Sequence, residues 1–152
     1  MEDRELLKHW DDILSGLYAA LDLLRDDQLA FTPREGLWSL GQTACHIAGT
    51  EESFLRQMCY GHWGGEECAY QLKDYPTVAD LKQLLANVHG RTTADFSAVE
   101  DLAARLEQPA VMPWGPTATW RWAVWHVLEH TIHHRGEIFL MLGLQGMEAP
   151  DV

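Results

Sequence analysis

The sequence predicts an all-α protein, folded as a four-helix bundle with long connections between its helices. Four segments carry apolar residues at the three- and four-residue spacing by which a helix buries one face. No segment shows a convincing alternation of apolar and polar residues, which is typical of a half-buried strand. With 152 residues, 47% of them hydrophobic, the chain is long enough for one domain over residues 1–152 with a proper core. We therefore expect helix-on-helix packing around that core.

The first helix is predicted from Asp3 to Arg25. Its leucines and other apolar residues recur with helical spacing, and the opposite face is acidic. A connection from 26 to 37 follows, and it contains the sequence Thr-Pro-Arg-Glu-Gly at 32–36. Proline and glycine in that connection favour a turn over a continued helix.

The second helix is predicted from Leu40 to Tyr60, with Ser39 as its N-cap. The segment 61–76 that follows is rich in glycine and aromatic residues and is predicted to be a loop. A loop of this length in a compact domain is often functional.

Thr77 and Asp80 are typical of a helix start, so the third helix is predicted from Val78 to Gln108. Gly90 lies inside this segment, and we interpret it as the site of a bend. The segment 109–116 contains three prolines and is predicted to end the helical pattern.

The fourth helix is predicted from Thr119 to Leu142, with Gly143 and Gly146 ending it. Four of the chain's eight histidines lie within the nine positions from 126 to 134 of this helix. At about 100° per residue, these four histidines and Glu137 fall within an arc of roughly 100°. The helix therefore presents a row of imidazoles on one face: His126, His130, His133 and His134.

Charge and cysteine content exclude several classes of protein. The formal net charge is -12 and there is no cluster of lysine or arginine, which argues against nucleic acid and anionic membranes as partners. We find neither a signal peptide nor an apolar run of about 18 residues that could span a membrane. The three cysteines are odd in number and form no C-x-x-C motif, so we expect reduced thiols and a cytoplasmic protein.

Two histidines four positions apart on a helix can share one cation, which makes a metal site the leading hypothesis. Three histidines on one straight helix cannot surround an ion, because eight residues rise about 12 Å. The third ligand should come from another helix, and His46 in the second helix is the natural candidate. Spacing leaves two pairs open on the fourth helix, His126 with His130 and His130 with His134.

These residues and their neighbours also allow other interpretations. His134 and Glu137 also form a His-x-x-Glu pair, as in di-iron bundles, but Glu51 and Glu52 lie away from the face of His46. Cys45 is interpreted as a small buried hydrophobic residue. The tryptophans are interpreted mostly as core and cap residues, with Trp122 as an alternative pocket residue: Trp38, Trp114, Trp120, Trp122 and Trp125.

With these residues in view, the chain resembles the DinB/YfiT-like family of small four-helix-bundle metalloenzymes. The segment 36–47 is similar to the family's W-S-x(6)-H-[IL] motif, with His46 as its histidine. The segment 130–138 is similar to the H-x(3)-H-R-G-[QE]-I motif, with Glu137 where relatives often have glutamine. The resemblance implies that His46, His130 and His134 bind one divalent metal ion, nickel, zinc or a similar ion. It also implies a homodimer.

The predicted function is that of a metal-dependent enzyme with an open coordination position and a small electrophilic molecule as substrate. The resemblance implies thiol (S-) transfer with a low-molecular-weight thiol. Hydrolysis would use the same metal ion, with hydroxide bound at the open position. His126, His133 and Glu137 are the candidates for a general base or for supporting the metal ligands. The alternative is a non-catalytic metal- or ligand-binding bundle in a stress response, or a family member that has lost turnover. Metal affinity is expected to fall below about pH 6.5, because histidine must be neutral to bind.

Overall fold

The computed structural model describes residues 3–115 and 118–151, and it confirms the all-α class. The helices in the described part of the chain are α1 Asp3–Leu21, α2 Leu40–Tyr60, α3 Val78–Ser97, α4 Leu102–Leu106 and α5 Trp120–Leu144. Three short 3-10 helices lie in the connections, at Asp26–Ala30, Gly65–Cys68 and Leu72–Asp74. Pro116, at the end of the predicted break, lies outside the described residues.

The four long helices form a ring around one apolar core. α2 packs against α3 on one side and against α5 on the other, and α1 closes the ring by contacting α5 and α3. The core between them is made of large side chains that are almost completely buried: Trp10, Leu14, Leu17, Leu40, Ile47, Leu81, Leu85, Phe96 and Leu128. The predicted four-helix bundle is therefore confirmed.

Polar side chains cap the starts of three long helices, and the caps at Ser39 and Thr77 were predicted. Ser39 forms a capping box with Gln42, and Thr77 forms one with Asp80. The Thr119 side chain accepts a hydrogen bond from the backbone N–H of Trp122 at the start of α5. At the other end of α2, Gly61 has a φ of 67°, a left-handed conformation that glycine adopts without strain. The bounds predicted for α2 agree with the structure at both ends.

Two predicted helices are too long. α1 ends at Leu21 and not at Arg25, because Arg25 is extended and its backbone N–H donates to Gln28 at the start of a 3-10 helix. α3 ends at Ser97 and not at Gln108, because the Asp101 side chain caps a separate short helix, α4. Gly90 does not interrupt α3. Local caps thus override the apolar periodicity on which the prediction depended.

The structure also contains a minimal sheet that was not predicted. β1 (Pro109–Ala110) pairs antiparallel with β2 (Ala118–Thr119). Two residues per strand are too few to produce an alternating pattern in the sequence. The pair lies directly before α5.

Candidate metal centre

His46 on α2 and His130 and His134 on α5 converge in the groove between these two helices. The Nε2 atoms of His46 and His130 are 2.9 Å apart. The ring centroids of His130 and His134 are 4.3 Å apart, and each of these rings is 4.8 Å from that of His46. One ring nitrogen from each histidine lies within 4.8 Å of the others.

This arrangement fits a divalent metal ion. Imidazole nitrogens at about 2.0–2.1 Å from a tetrahedral ion lie about 3.3 Å from one another, close to the separation of the two Nε2 atoms. In addition, Nδ1 of His130 is buried with no hydrogen-bond partner among the described residues. A buried ring nitrogen without a partner is unfavourable for folding. A ligand at Nε2 of His130 would leave this Nδ1 without a partner, so the fit to a metal ion depends on the convergence of the ring nitrogens of His46, His130 and His134.

Burial, together with neighbouring imidazoles, favours the uncharged forms of His130 and His46 in the metal-free protein. Burial and the neighbouring histidines lower the pKa of His130 to about 3. Burial and His134 also lower the pKa of His46. These two imidazoles therefore stay neutral below pH 6.5. Protons should displace a metal from them only in solution more acidic than the pH of about 6.5 expected from the sequence.

Glu137 supports His134. Nδ1 of His134 lies 2.6 Å from Oε2 of Glu137, and an ionised carboxylate only accepts hydrogen bonds, so Nδ1 carries the proton. This pairing leaves the Nε2 lone pair of His134 free for a ligand. The other oxygen of Glu137 lies 3.1 Å from Nε2 of His133, whose side chain is 67% exposed. His133 thus lies on the outer side of α5.

His126 lies one turn before His130, and it lines a cavity. Its ring stacks on Trp122 at 5.0 Å and contacts Phe54 at 5.2 Å, and it is 6.5 Å from the ring of His130. Of the three candidate catalytic residues, only His126 lines this cavity, while His133 and Glu137 do not.

The cavity has a volume of about 520 Å³, within the range of small-molecule sites. His46, His130 and Thr50 line one part of it, and Oγ1 of Thr50 is 3.4 Å from Nε2 of His130. The rest of its lining comes from the connection before α2, from α2, from the segment 61–76 and from the segment before β2: Trp38, Gln42, Gly49, Ser53, Phe54, Trp63, Gly65, Cys68, Ala69, Tyr70, Gln71 and Trp114.

Sequence reasoning missed the tryptophans of this cavity. Trp38 was interpreted as a core or cap residue, but it is 49% exposed and its ring is 4.3 Å from that of His46. Trp114 is 55% exposed and also lines the cavity, whereas Trp122 does not. The aromatic content of the loop 61–76 was a signal only for Trp63, the third tryptophan of the cavity, and it did not indicate which helix the loop covers.

Cys45, Glu51 and Glu52, which were also considered from the sequence, lie outside the histidine triad. Cys45 is buried, and burial raises its pKa to about 11, as expected for a small core residue. Glu51 binds His89 and Thr92, and Glu52 binds arginines and Tyr70. Neither carboxylate takes part in the two described groups that could hold a metal ion, His46–His130–His134 and His133–His134–Glu137.

Comparisons with known proteins agree with this architecture. A family model described as the DinB superfamily matches residues 9–138. A DinB-like protein of Bacillus cereus ATCC 10987 is 21% identical, with a TM-score of 0.74 over 99% of this chain and 97% of its own. A DinB-like protein of Bacillus subtilis is 18% identical, with a TM-score of 0.78 over 97% of this chain and 96% of its own. No curated protein is significantly similar to the chain.

Proposed function

Because the chain belongs to the DinB superfamily, we propose that it is a metal-dependent enzyme in which His46, His130 and His134 hold one divalent ion. The observation that carries the proposal is the convergence of their ring nitrogens within 4.8 Å, with His46 and His130 lining a cavity of about 520 Å³. Three protein ligands leave a coordination position open, and a cavity at that position favours catalysis over a closed structural site.

The proposed reaction is thiol (S-) transfer to a small electrophilic substrate, or hydrolysis of such a substrate. A bound nickel, zinc or similar ion would supply Lewis acidity, which lowers the pKa of a coordinated thiol or water. For the transfer reaction, a low-molecular-weight thiol would be the second substrate.

The chain's own residues would position the reactants and move a proton. His126 presents an imidazole to the cavity one turn from His130, so it is the candidate that can exchange a proton with a bound substrate. Glu137 holds the ring of His134 in the tautomer that leaves Nε2 free. Trp38 packs beside His46 and restricts access of water to that ring.

Metal content tests the ligand set. Protein purified without an affinity tag is expected to carry about one divalent ion per chain by elemental mass spectrometry, and His130→Ala is expected to lose it. His133→Ala is the matched control, because this neighbouring histidine is exposed and lies off the cavity. Full metal content in His130→Ala, or equal loss in both variants, would contradict the proposal.

Turnover tests the reaction. Metal-loaded protein, a panel of bacterial thiols and monochlorobimane should give the thiol conjugate, and His126→Ala should retain metal while losing most of the rate. Bound metal without conjugation or hydrolysis of any electrophile tested would favour the non-catalytic binding bundle. An unfolded His130→Ala variant would indicate a structural metal.

A further inference from the structure

The cavity is elongated, and its two ends differ in chemistry. His46 and Thr50 on α2 line the end at the histidine triad, whereas Phe54 lines the cavity two turns further along the same helix. Eight residues of helix rise about 12 Å, so only a ligand of about that length contacts the triad and Phe54 at the same time. His126 on α5 lies at that same level, since its ring is 5.2 Å from Phe54.

Three aromatic side chains form the second end, which we call the aromatic end: Phe54, Trp63 and Trp114. The ring of Trp63 is 5.2 Å from each of the other two, and the rings of Phe54 and Trp114 are 5.8 Å apart. Phe54 is only 3% exposed, but Trp114 is 55% exposed although it lines a cavity. An apolar ring that is left open on a concave surface is typical of a binding site for another apolar group.

The described residues that line the cavity include no lysine, arginine, aspartate or glutamate. Their polar members besides histidine are neutral amides, hydroxyls and a thiol, as in Gln42, Thr50 and Gln71. A negatively charged group at the aromatic end would lose hydration without gaining a cationic partner, which is costly. The faces of aromatic rings carry partial negative charge, and the net charge of -12 adds repulsion.

We propose that the aromatic end selects substrates that carry a flat, uncharged ring system and rejects those with an anionic group at that position. The ring of the substrate stacks against Trp63 and Trp114, and its reactive group extends toward the triad. The inference rests on the proposed function only for that reactive group. Recognition of the ring depends on the aromatic end alone.

Two fluorescent probes that differ by one charged group test this selection. N-phenyl-1-naphthylamine is neutral, and 1-anilinonaphthalene-8-sulfonate has the same rings with a sulfonate. We expect the neutral probe to bind the metal-free and the metal-loaded protein, with at least tenfold higher affinity than the sulfonate in the metal-free form. Equal or tighter binding of the sulfonate to the metal-free protein would overturn the proposal.

Variants locate the bound probe. Trp114→Ala and Trp63→Leu are each expected to weaken neutral-probe binding by roughly threefold to tenfold, through loss of ring contacts. Tyr60→Ala is the control, since this exposed aromatic residue lies on the same helix as Phe54 but does not line the cavity. Equal effects in Tyr60→Ala and Trp114→Ala would place the probe elsewhere and overturn the proposal.

The two proposals can fail separately. If the protein binds no metal but discriminates between the probes as expected, the metal-dependent function fails and selection by the aromatic end stands. If the protein binds one metal ion through the triad but neither probe binds the cavity, the proposed function stands and the inference about the substrate is overturned.

Discussion

At the scale of single residues, the carboxylate of Glu137 determines how a neighbouring imidazole is used. It accepts a hydrogen bond from Nδ1–H of His134, with 2.6 Å between Nδ1 and Oε2, and it contacts the exposed His133 with its other oxygen. From the sequence, Glu137 was predicted to be a candidate for a general base or for supporting the metal ligands. Its position indicates that it orients the ring of His134 and does not act as a base, because it does not line the cavity.

Removal of this carboxylate should weaken metal binding without unfolding the protein. We expect Glu137→Ala to lower metal affinity by roughly 10- to 100-fold, because the ring of His134 loses the partner that sets its tautomer. Competition with a chelating dye measures the affinity. Glu129→Ala, an exposed glutamate on the same helix, is the control and should bind metal like the unmodified protein. An affinity that is unchanged in Glu137→Ala would show that the contact is incidental.

His89 forms a second polar cluster, away from the cavity, and it joins three helices. Its Nδ1 lies 2.9 Å from buried Glu51 on α2, and its Nε2 lies 2.9 Å from Asp11 on α1. Burial by itself would lower the pKa of His89, but the hydrogen bonds and charges of Glu51 and Asp11 outweigh it and raise the pKa. The folded protein therefore holds the proton more tightly than the unfolded chain does.

This shift predicts the pH dependence of stability. The contribution of charged His89 is fully present below the unfolded pKa of about 6.5 and is lost as pH rises through the higher folded pKa. We expect His89→Leu to cost about 3 kcal/mol near pH 6, because buried Glu51 loses its charged partner. Urea unfolding from pH 5 to 9 should show a smaller difference between the two proteins at alkaline pH. A difference that grows with pH would contradict this assignment.

At the scale of elements, α2 supplies more of the cavity lining than any other described helix. It supplies His46, Thr50 and Phe54 on the cavity face, and its glycine at position 49 lies against the loop that forms the opposite wall. A Cβ atom at Gly49 would collide with the backbone carbonyl of Cys68. The absence of a side chain therefore allows the segment 61–76 to lie close to the helix and enclose the cavity.

Replacement of this glycine should act on the loop. We expect Gly49→Ala to destabilise the protein by about 1–3 kcal/mol, because the backbone at Cys68 must move. Gly90→Ala is the matched control: Gly90 lies within α3 with open space around it, so alanine should stabilise that helix by up to about 1 kcal/mol. Urea unfolding measures both changes. A Gly49→Ala variant that is as stable as the unmodified protein, or more stable, would contradict the close packing at Gly49.

At the scale of the whole molecule, the outer side of α5 leaves large apolar residues exposed among polar ones such as Glu129 and His133: Trp122, Ile132, Leu140 and Leu144. Exposed apolar residues that cluster on one face often mark a contact with another protein. No helix in the described part of the chain is long and apolar enough to cross a membrane. The homodimer implied by the resemblance would cover this outer face, and it stays a prediction.

The dimer can be tested at Leu140, which is 64% exposed. Sedimentation of the unmodified protein should show a dimer, and Leu140→Lys should shift it toward the monomer by placing a charge in the apolar contact. Leu23→Lys, at a residue that is 47% exposed and lies outside α5, should leave the dimer intact. A monomeric unmodified protein, or a dimer unaffected by Leu140→Lys, would exclude this face as the interface.

The sequence by itself determined the fold class, the caps at Ser39 and Thr77, and the histidine face of α5. These features depend on residues within about four positions of one another, where local hydrogen bonds and helical periodicity act. The motifs around His46 and His130 also sufficed to indicate the family.

Only the tertiary structure decided which histidines meet. Spacing allowed His126 or His134 as the companion of His130, and the packing of α2 against α5 places His134 beside His46 and leaves His126 in the cavity. The tertiary structure also brought Trp38, Trp63 and Trp114 to that cavity from three connections far apart in the chain. Such contacts arise from helix packing angles and loop positions, which depend on all packed side chains together and leave no local periodic signal.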